Sequence, residues 1–522
     1  MAYRVFIEEL KKACSKSAEV YEHVPEEVYI WIKKEDFRSA CLFTHKRLHS
    51  PVHALFCTDE RNKNNCFDIY CVFLSSEYRK WFIIASPIAS DKAEFESLAK
   101  DMVSASLFER EIKEMFGVQP LGSPDQRRLN LHDEVWPQGS YPLRKDFTMP
   151  EKNVISTGKD YPFDQVAGTG IFEVPVGPVH AGIIGPGHFR FSAAGEPIVN
   201  LEARLGFTHR GIEKLFEGKA PAEALNISEC VSGDSAFVHA LSFCSAVEKI
   251  AGAEIPASAS YSRLICLELE RLYNHVNDIS GMALDVSFTF PSQYASCIKE
   301  SLLRLNEEVT GSRYLKGFIV VGGVKQRLII KNLASVILKV KKDIKALEKM
   351  LFESVSFMDR LEDTGILMKK TAEDLGVVGL CARACGIGSD LRKTFPNVYA
   401  GADFKISKEE KGDCLARLKI RFSEIEESIR LIDLFVKRID NAGSCKTEVC
   451  FDKGHSIGAV EGWRGPVFYW VKIDGGLIER CKIVDPSFHN WPALTYAVLG
   501  NIIPDFPLCN KSFDLSYSGN DL

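Results

Sequence analysis

Three kinds of residue in this chain could carry chemistry: thiols, a carboxylate–guanidinium–imidazole group, and glycine-rich turns. Sixteen cysteines are scattered over 522 residues. Their nearest pairs are Cys66/Cys71, Cys381/Cys385 and Cys445/Cys450. None is a CxxC, the spacing that zinc and iron–sulfur ligation favours. The thiols therefore read as reduced and mostly buried, since free cysteine behaves as a small hydrophobe. Glu268, Arg271 and His275 are spaced by three and then four residues, so they share one helical face and can form one polar cluster. His239, His275 and His489 read as satisfied polar residues rather than ligands. No GxGxxG follows a predicted strand and there is no Walker A sequence, so Gly185-Pro186-Gly187 reads as a turn and nucleotide chemistry is not expected.

The elements that must position these residues fall into two groups. Residues 1–150 read as a small α/β domain. Val28–Ile32, His53–Cys57, Phe67–Phe73 and Trp81–Ala85 have strand composition. Lys92 to Phe116 has apolar residues at helical spacing and ends at Gly117. The segment from Gly122 to Gly170 is punctuated by prolines, and a linker is expected at 151–172. Residues 173–522 begin with a strand at Phe172–Val176 and a hairpin through Ala194-Gly195-Glu196. Long helical patterns then run from Ala222 to Asp440, with breaks at Pro256 and Pro291 and a loop opening at Pro396. Val336 to Leu361 reads as one amphipathic helix. Strands return at Gly465–Val471 and Leu477–Val484, followed by a polar tail. The expected class is α+β: a small α/β domain, then a mainly helical domain with β segments at both ends.

A net charge of -5 gives no reason to expect nucleic acid as a partner. The first residues lack the apolar core of a signal peptide, and no apolar run approaches a membrane span.

The segments Phe108-Glu-Arg-Glu-Ile-Lys-Glu-Met-Phe-Gly117, Ser123-Pro-Asp-Gln-Arg-Arg-Leu129 and Tyr141-Pro-Leu-Arg-Lys-Asp-Phe147 resemble the signature of the C-type subunit of complex I. Gly177-Pro-Val-His-Ala-Gly182, His209-Arg-Gly-Ile-Glu-Lys214, Tyr261-Ser-Arg263, Asp390-Leu-Arg392 and Glu461-Gly-Trp-Arg-Gly465 resemble blocks of the D-type subunit of complex I and of group 4 nickel–iron hydrogenase large subunits. Gly187-His-Phe-Arg-Phe191 is closer to the hydrogenase side. In such hydrogenases an ERxCGxC block and a DPCxxC block supply four thiolates, the soft donors suited to nickel and iron. Here those blocks read Glu229-Cys-Val-Ser-Gly-Asp-Ser235 and Asp485-Pro-Ser-Phe-His-Asn490. Ser232, Ser235, Ser487 and Asn490 take the four positions, so the resemblance implies a member that holds no metal.

The resemblance to the D-type subunit makes His180 the quinone-side histidine, a candidate proton donor with a near-neutral ordinary pKa. The tyrosine that accompanies it in that family aligns with Gly233. Glu213 corresponds to a proton-relay glutamate, which burial would raise towards working pH; its alternative role is as a buried partner for Arg210 or Arg464. Asp234 could add a second carboxylate to the emptied cavity. Arg210, Arg383, Arg464 and His239 complete the expected polar lining. The continuation past Asn490 is similar to the unprocessed C-terminal strand of the D-type subunit. The resemblance implies an electron-transfer subunit that itself binds no cofactor, with quinone as a possible acceptor. Its implied partners are a B-like small subunit of the complex I type with a four-iron cluster, a ferredoxin-like iron–sulfur subunit and antiporter-like membrane subunits. The implied location is the cytoplasmic face of the membrane.

Overall fold

The computed structural model describes residues 3–14, 18–149, 160–180, 184–396, 399–440 and 443–522. Residues 151–159 of the expected linker, and Ala181 and Gly182, lie outside the described residues.

The first part is a five-stranded sheet. After α1 (Tyr3–Ala13) come β1 (Glu19–Val24), β2 (Glu27–Trp31), α2 (Lys34–Leu48), β3 (Ala54–Asp59), α3 (Arg61–Asn64), β4 (Cys66–Ser75) and β5 (Lys80–Ala89). The order is β1-β2-β5-β4-β3, with β2 and β5 parallel and the other pairs antiparallel. Every residue of β3 and β4 is buried, as expected of strands covered on both faces. One face carries α2. The segment 92–116, expected to be mostly helical, starts instead with the short strand β6 (Glu94–Glu96), which pairs in parallel with β7 (Gln119–Leu121). A short 3-10 turn at Val103–Ala105 leads into the one α-helix of this segment, α4 (Ser106–Phe116). The Glu109 carboxylate folds back to accept hydrogen bonds from the Ser97 hydroxyl and the Ala99 amide, at 2.7 and 3.2 Å. The preceding segment is thus anchored to α4 rather than continuing it.

The second part opens with a three-stranded antiparallel sheet, β8 (Ile171–Val176), β9 (His188–Ala194) and β10 (Ile198–Arg204). The helices follow: α5 (Ile212–Phe216), α6 (Pro221–Ser228), α7 (Ala236–Ile250), α8 (Ala257–Asp285) and α9 (Thr289–Thr310). Pro256 is the N-cap of α8 and Pro291 sits in the first turn of α9, so both prolines mark helix starts. A tight hairpin, β11 (Ile319–Val320) and β12 (Gly323–Val324), leads to α10 (Leu333–Phe352) and α11 (Val355–Leu361). The single helix expected over 336–361 is interrupted at Ser354, whose hydroxyl caps α11. Then come α12 (Lys369–Leu375), α13 (Gly379–Ala384), α14 (Leu391–Thr394) and α15 (Cys414–Val436).

A second sheet, β13 (Gly454–Glu461), β14 (Pro466–Asp474) and β15 (Leu477–Val484), joins the two parts. Because strand side chains alternate between faces, Phe468 and Trp470 enter the first core while Val467, Tyr469 and Val471 enter the second. Trp470 stands 5.0 Å from Phe56 and 5.3 Å from Tyr70, ring to ring. The opposite face packs on α7. The expected polar tail is neither a tail nor a strand: it forms α16 (Pro486–Ala497), α17 (Phe506–Phe513) and α18 (Tyr517–Asp521). Asn520, Asp521 and Leu522 are buried.

Candidate functional site

The site is built where the α6–α7 loop, the β13–β14 turn, the start of α16 and the α17–α18 link converge. Asp485 caps α16, its carboxylate accepting from the Ser487 amide at 2.7 Å, with Pro486 preset for the first helical position. Ser232, Ser235, Ser487 and Asn490 are all buried. The Ser232 hydroxyl donates to Asp234 Oδ1 at 2.8 Å and lies 2.8 Å from Ser516 Oγ. Ser487 Oγ accepts from the Ser516 amide at 2.9 Å. Ser516, from the tail, therefore bridges two of the positions at which the resemblance expects thiolates. Ser235 Oγ donates to Asp234 Oδ1 at 3.0 Å and accepts from the Trp463 indole at 3.0 Å. Asn490 stands apart: its amide exchanges two hydrogen bonds with the backbone of Val378, at 3.0 and 3.2 Å.

Asp234 and Arg464 form a bidentate pair at 2.8 and 2.7 Å. Burial pushes the Asp234 carboxyl up, but the Arg464 guanidinium outweighs it and holds the group below the usual carboxylate range. With 41% of its side chain exposed, Asp234 is the ionised, water-facing member of the group. Arg464 also reaches Asp514 at 3.6 Å, on the tail. Asp514 and Ser516 thus occupy part of the space that Asp234 is expected to share.

The other expected residues do not line one cavity. Arg210 donates to the carbonyls of Cys230 and Val231, both at 2.8 Å, and to that of Ser518 at 3.3 Å, pinning the α6–α7 loop to the tail. Glu213 pairs with neither Arg210 nor Arg464. Its carboxylate meets Arg480 at 2.7 Å and Lys482 at 3.1 Å and accepts from the Ile483 amide at 2.9 Å. Although burial pushes Glu213 up, those two cations bring it below its ordinary value, the reverse of the expected rise. Lys482 also holds Glu111 of α4 at 2.6 Å, so this cluster is a clamp between the two parts.

Arg383 belongs to a third place, a buried network around α8. It pairs with Glu461 at 2.9 Å and Glu424 at 2.8 Å. Glu424 in turn takes His275 at 2.9 Å and Arg271 at 3.2 Å, and Arg271 meets Glu268 at 3.2 Å. Burial lowers His275 to about 4, so it is neutral there. His239 is buried with both nitrogens engaged, Nδ1 by the Tyr469 hydroxyl at 3.0 Å and Nε2 by Asp485 at 3.1 Å. His489 hydrogen-bonds the carbonyl of His53 at 3.2 Å. His180 is half-buried, with Nε2 2.7 Å from the Gly187 carbonyl. Its loop reaches the tail through Gly185 and Gly187, where any Cβ would strike the Tyr517 ring at 2.6–2.7 Å. Sequence reasoning missed Ser516, Asp514, Arg480, Lys482 and Glu424. Each lies far along the chain from its partner, and none stands in a motif.

Eleven of the sixteen cysteines are buried and none is in a disulfide. Among the described residues, no group of three or more His, Cys, Asp or Glu side chains is arranged to hold a metal ion.

With this geometry in place, likeness to known proteins is informative. The family model for the respiratory-chain NADH dehydrogenase 30 Kd subunit matches residues 30–153, and that for the 49 Kd subunit matches 285–451. The chain is similar to formate hydrogenlyase subunit 5 of Escherichia coli, 30% identical over 90% of this chain and 84% of that protein. It is similar to the C/D subunit of NADH-quinone oxidoreductase of Phocaeicola vulgatus, 30% identical over 72% of this chain and 76% of the relative. Among solved structures, a chain of the membrane-bound sulfane sulfur reductase, an archaeal respiratory membrane complex, superposes with a TM-score of 0.64 at 26% identity. That match covers 69% of this chain and all of the other.

Proposed function

Since the chain belongs to the family of formate hydrogenlyase subunit 5 and carries both a 30 Kd-type and a 49 Kd-type respiratory-chain segment, we propose that it is the electron-transfer subunit of a membrane-associated, complex-I-like oxidoreductase that works without a nickel–iron centre. One observation carries the second half of this reading. The four ligand positions hold three hydroxyls and an amide, and Ser232 and Ser487 are both committed to Ser516. Hydroxyls held in internal hydrogen bonds are poor substitutes for bridging thiolates, so these residues do not fit the metal pair. Among the described residues no helix is long and apolar enough to cross a membrane, so the reading attaches the chain through partner subunits on the cytoplasmic face.

In this reading, electrons arrive from a four-iron cluster on a B-like small subunit beside this chain. They pass to a quinone or another small acceptor near the loop of His180, which supplies a proton; a ferredoxin-like subunit and antiporter-like membrane subunits complete the assembly. The test is analysis of nickel, iron and acid-labile sulfide in the complex captured through this chain. Iron and sulfide without nickel are expected; stoichiometric nickel would overturn the proposal.

A second reading is favoured by the packing of Ser516 between Ser232 and Ser487: the chain is a coupling subunit whose former metal site is a structural joint. The variant His180→Ala separates the two. A lowered rate of acceptor reduction supports the catalytic reading, and an unmodified rate the coupling one.

A further inference from the structure

Arg417, on α15, has no exposed surface. Its guanidinium donates to Ser512 Oγ at 2.8 Å and to the carbonyls of Gly412 and Gly365 at 2.7 and 2.9 Å, and it lies 4.3 Å above the Phe513 ring. Among the described residues it forms no ion pair. The ionisable groups that act on it most strongly are the thiols of Cys414, Cys381, Cys509 and Cys385. A guanidinium keeps its proton in a protein, and a buried charge without a counter-ion is costly. A thiolate beside it would supply that counter-ion.

Geometry singles out Cys414. Its sulfur accepts from the Arg417 guanidinium at 3.4 Å. It is also the first residue of α15, a 23-residue helix, and a helix N-terminus favours a thiolate. Burial pushes Cys414 up, but the Cys509 thiol and the Arg417 guanidinium outweigh it and bring it to about 6. Burial leaves Cys381 at about 11 and Cys385 at about 12. The thiol of Cys509, on α17, is pushed up by Cys414 and by burial. The two sulfurs line one small space: a Cβ on Gly365 would stand 2.8 Å from Cys509 Sγ and 3.4 Å from Cys414 Sγ. A thiolate beside a thiol, held by a cation, has the charge state of a thiol that oxidises; both residues are fully enclosed, so the oxidant enters by local opening of the packing between α15 and α17.

We propose that Cys414 and Cys509 form a redox-active dithiol which a small hydroperoxide converts to a disulfide, tying α17 to the start of α15. The Cys414 thiolate attacks hydrogen peroxide, forming Cys414 sulfenic acid and releasing hydroxide. The Cys509 thiol then displaces water from that sulfur, so the pair gives two electrons and the peroxide becomes hydroxide and water. A dithiol reductant reverses the bond by exchange. α17 runs directly into Asp514 and Ser516, so the disulfide anchors the segment that closes the candidate site.

The test treats the captured complex with hydrogen peroxide, blocks free thiols under denaturing conditions and maps peptides by mass spectrometry. A Cys414–Cys509 cross-linked peptide is expected. It should form roughly ten-fold more slowly at about pH 5 than at about pH 7, because the attacking thiolate is protonated. In Cys509→Ala, Cys414 sulfenic acid should be captured by dimedone; Cys414→Ser should remove both products. The exposed thiols of Cys230, Cys297 and Cys450 are the internal reference. If they oxidise while Cys414 and Cys509 stay alkylatable, or if Cys414 oxidises without the cross-link, the proposal fails.

Discussion

At the scale of single residues, the candidate site is a set of polar groups that have found partners, beside one open position. Gly233 has an ordinary φ, and a Cβ built on it meets nothing within 4 Å. It is also where the resemblance to the D-type subunit expects a tyrosine, so Gly233→Tyr is expected to fold with stability changed by less than about 0.5 kcal/mol. A thermal melt checks this; a large fall would mean the loop is more confined than its open surroundings imply. Glu424 is the opposite case. It is buried and serves Arg383, Arg271 and His275 together. Glu424→Ala leaves two buried guanidinium groups short of a counter-ion, at a cost of about 3–5 kcal/mol. Denaturant titration should register that loss, and a variant as stable as the parent would show that the network is redundant. The types of residue at the site were readable from the sequence, because motif blocks carry them. The partners were not. Glu213 took Arg480 and Lys482 rather than Arg210 or Arg464, since a buried carboxylate pairs with whichever cation the fold desolvates beside it.

At the scale of elements, legibility followed how local the specifying signal is. The strands at 27–31, 54–59, 66–75 and 80–89 and the 188–204 hairpin declare themselves by composition and a turn. The face of α8 that carries Glu268, Arg271 and His275 follows from helical spacing alone. β13 is not legible because its sequence, Gly454-His-Ser-Ile-Gly-Ala-Val-Glu461, has weak alternation and two glycines. The structure gives the reason for one of them. A Cβ on Gly458 would lie 2.0 Å from the Ser242 carbonyl and 2.5 Å from the Ala246 amide of α7, so the strand lies directly against helix backbone. Gly458→Ala must push β13 off α7 and is expected to cost at least about 3 kcal/mol, seen as a lowered melting point or loss of soluble protein; near-parental stability would show that α7 can retreat. The C-terminal segment misleads for the converse reason. Ser516, Asn520 and Asp521 look solvent-seeking in sequence, yet the fold commits them to internal hydrogen bonds. Such short helices are stabilised by tertiary packing rather than by propensity.

At the scale of the whole molecule, the two parts are joined by aromatic rings and by histidines held neutral. His53 lies on the first part, while His489 and His455 lie on the second and face it. Burial lowers His53 to about 3, and His489 and His455 to about 4. An unfolded histidine titrates near 6.5. Between 6.5 and about 4 the unfolded chain therefore binds more protons at these positions than the folded one, and the stability they carry falls as pH falls. For His489, which is buried, the interval corresponds to on the order of 3 kcal/mol. Buried carboxyls act in the opposite sense: burial pushes Asp68 and Glu461 up to about 6, so the folded chain takes up their protons first. The total pH curve mixes the two, but a difference between variants separates them. His489→Gln keeps a donor for the His53 carbonyl and cannot be charged. Its melting point is expected to decline less than the parent's between pH 7 and pH 4.5, with the gap opening below about 6.5. Parallel curves would mean that His489 is reached by water in the folded state and that the junction between the parts is wetter than its packing implies. A widening gap would mark that junction as the place where acid first loosens the molecule, since there a charge must enter a dry contact between two cores.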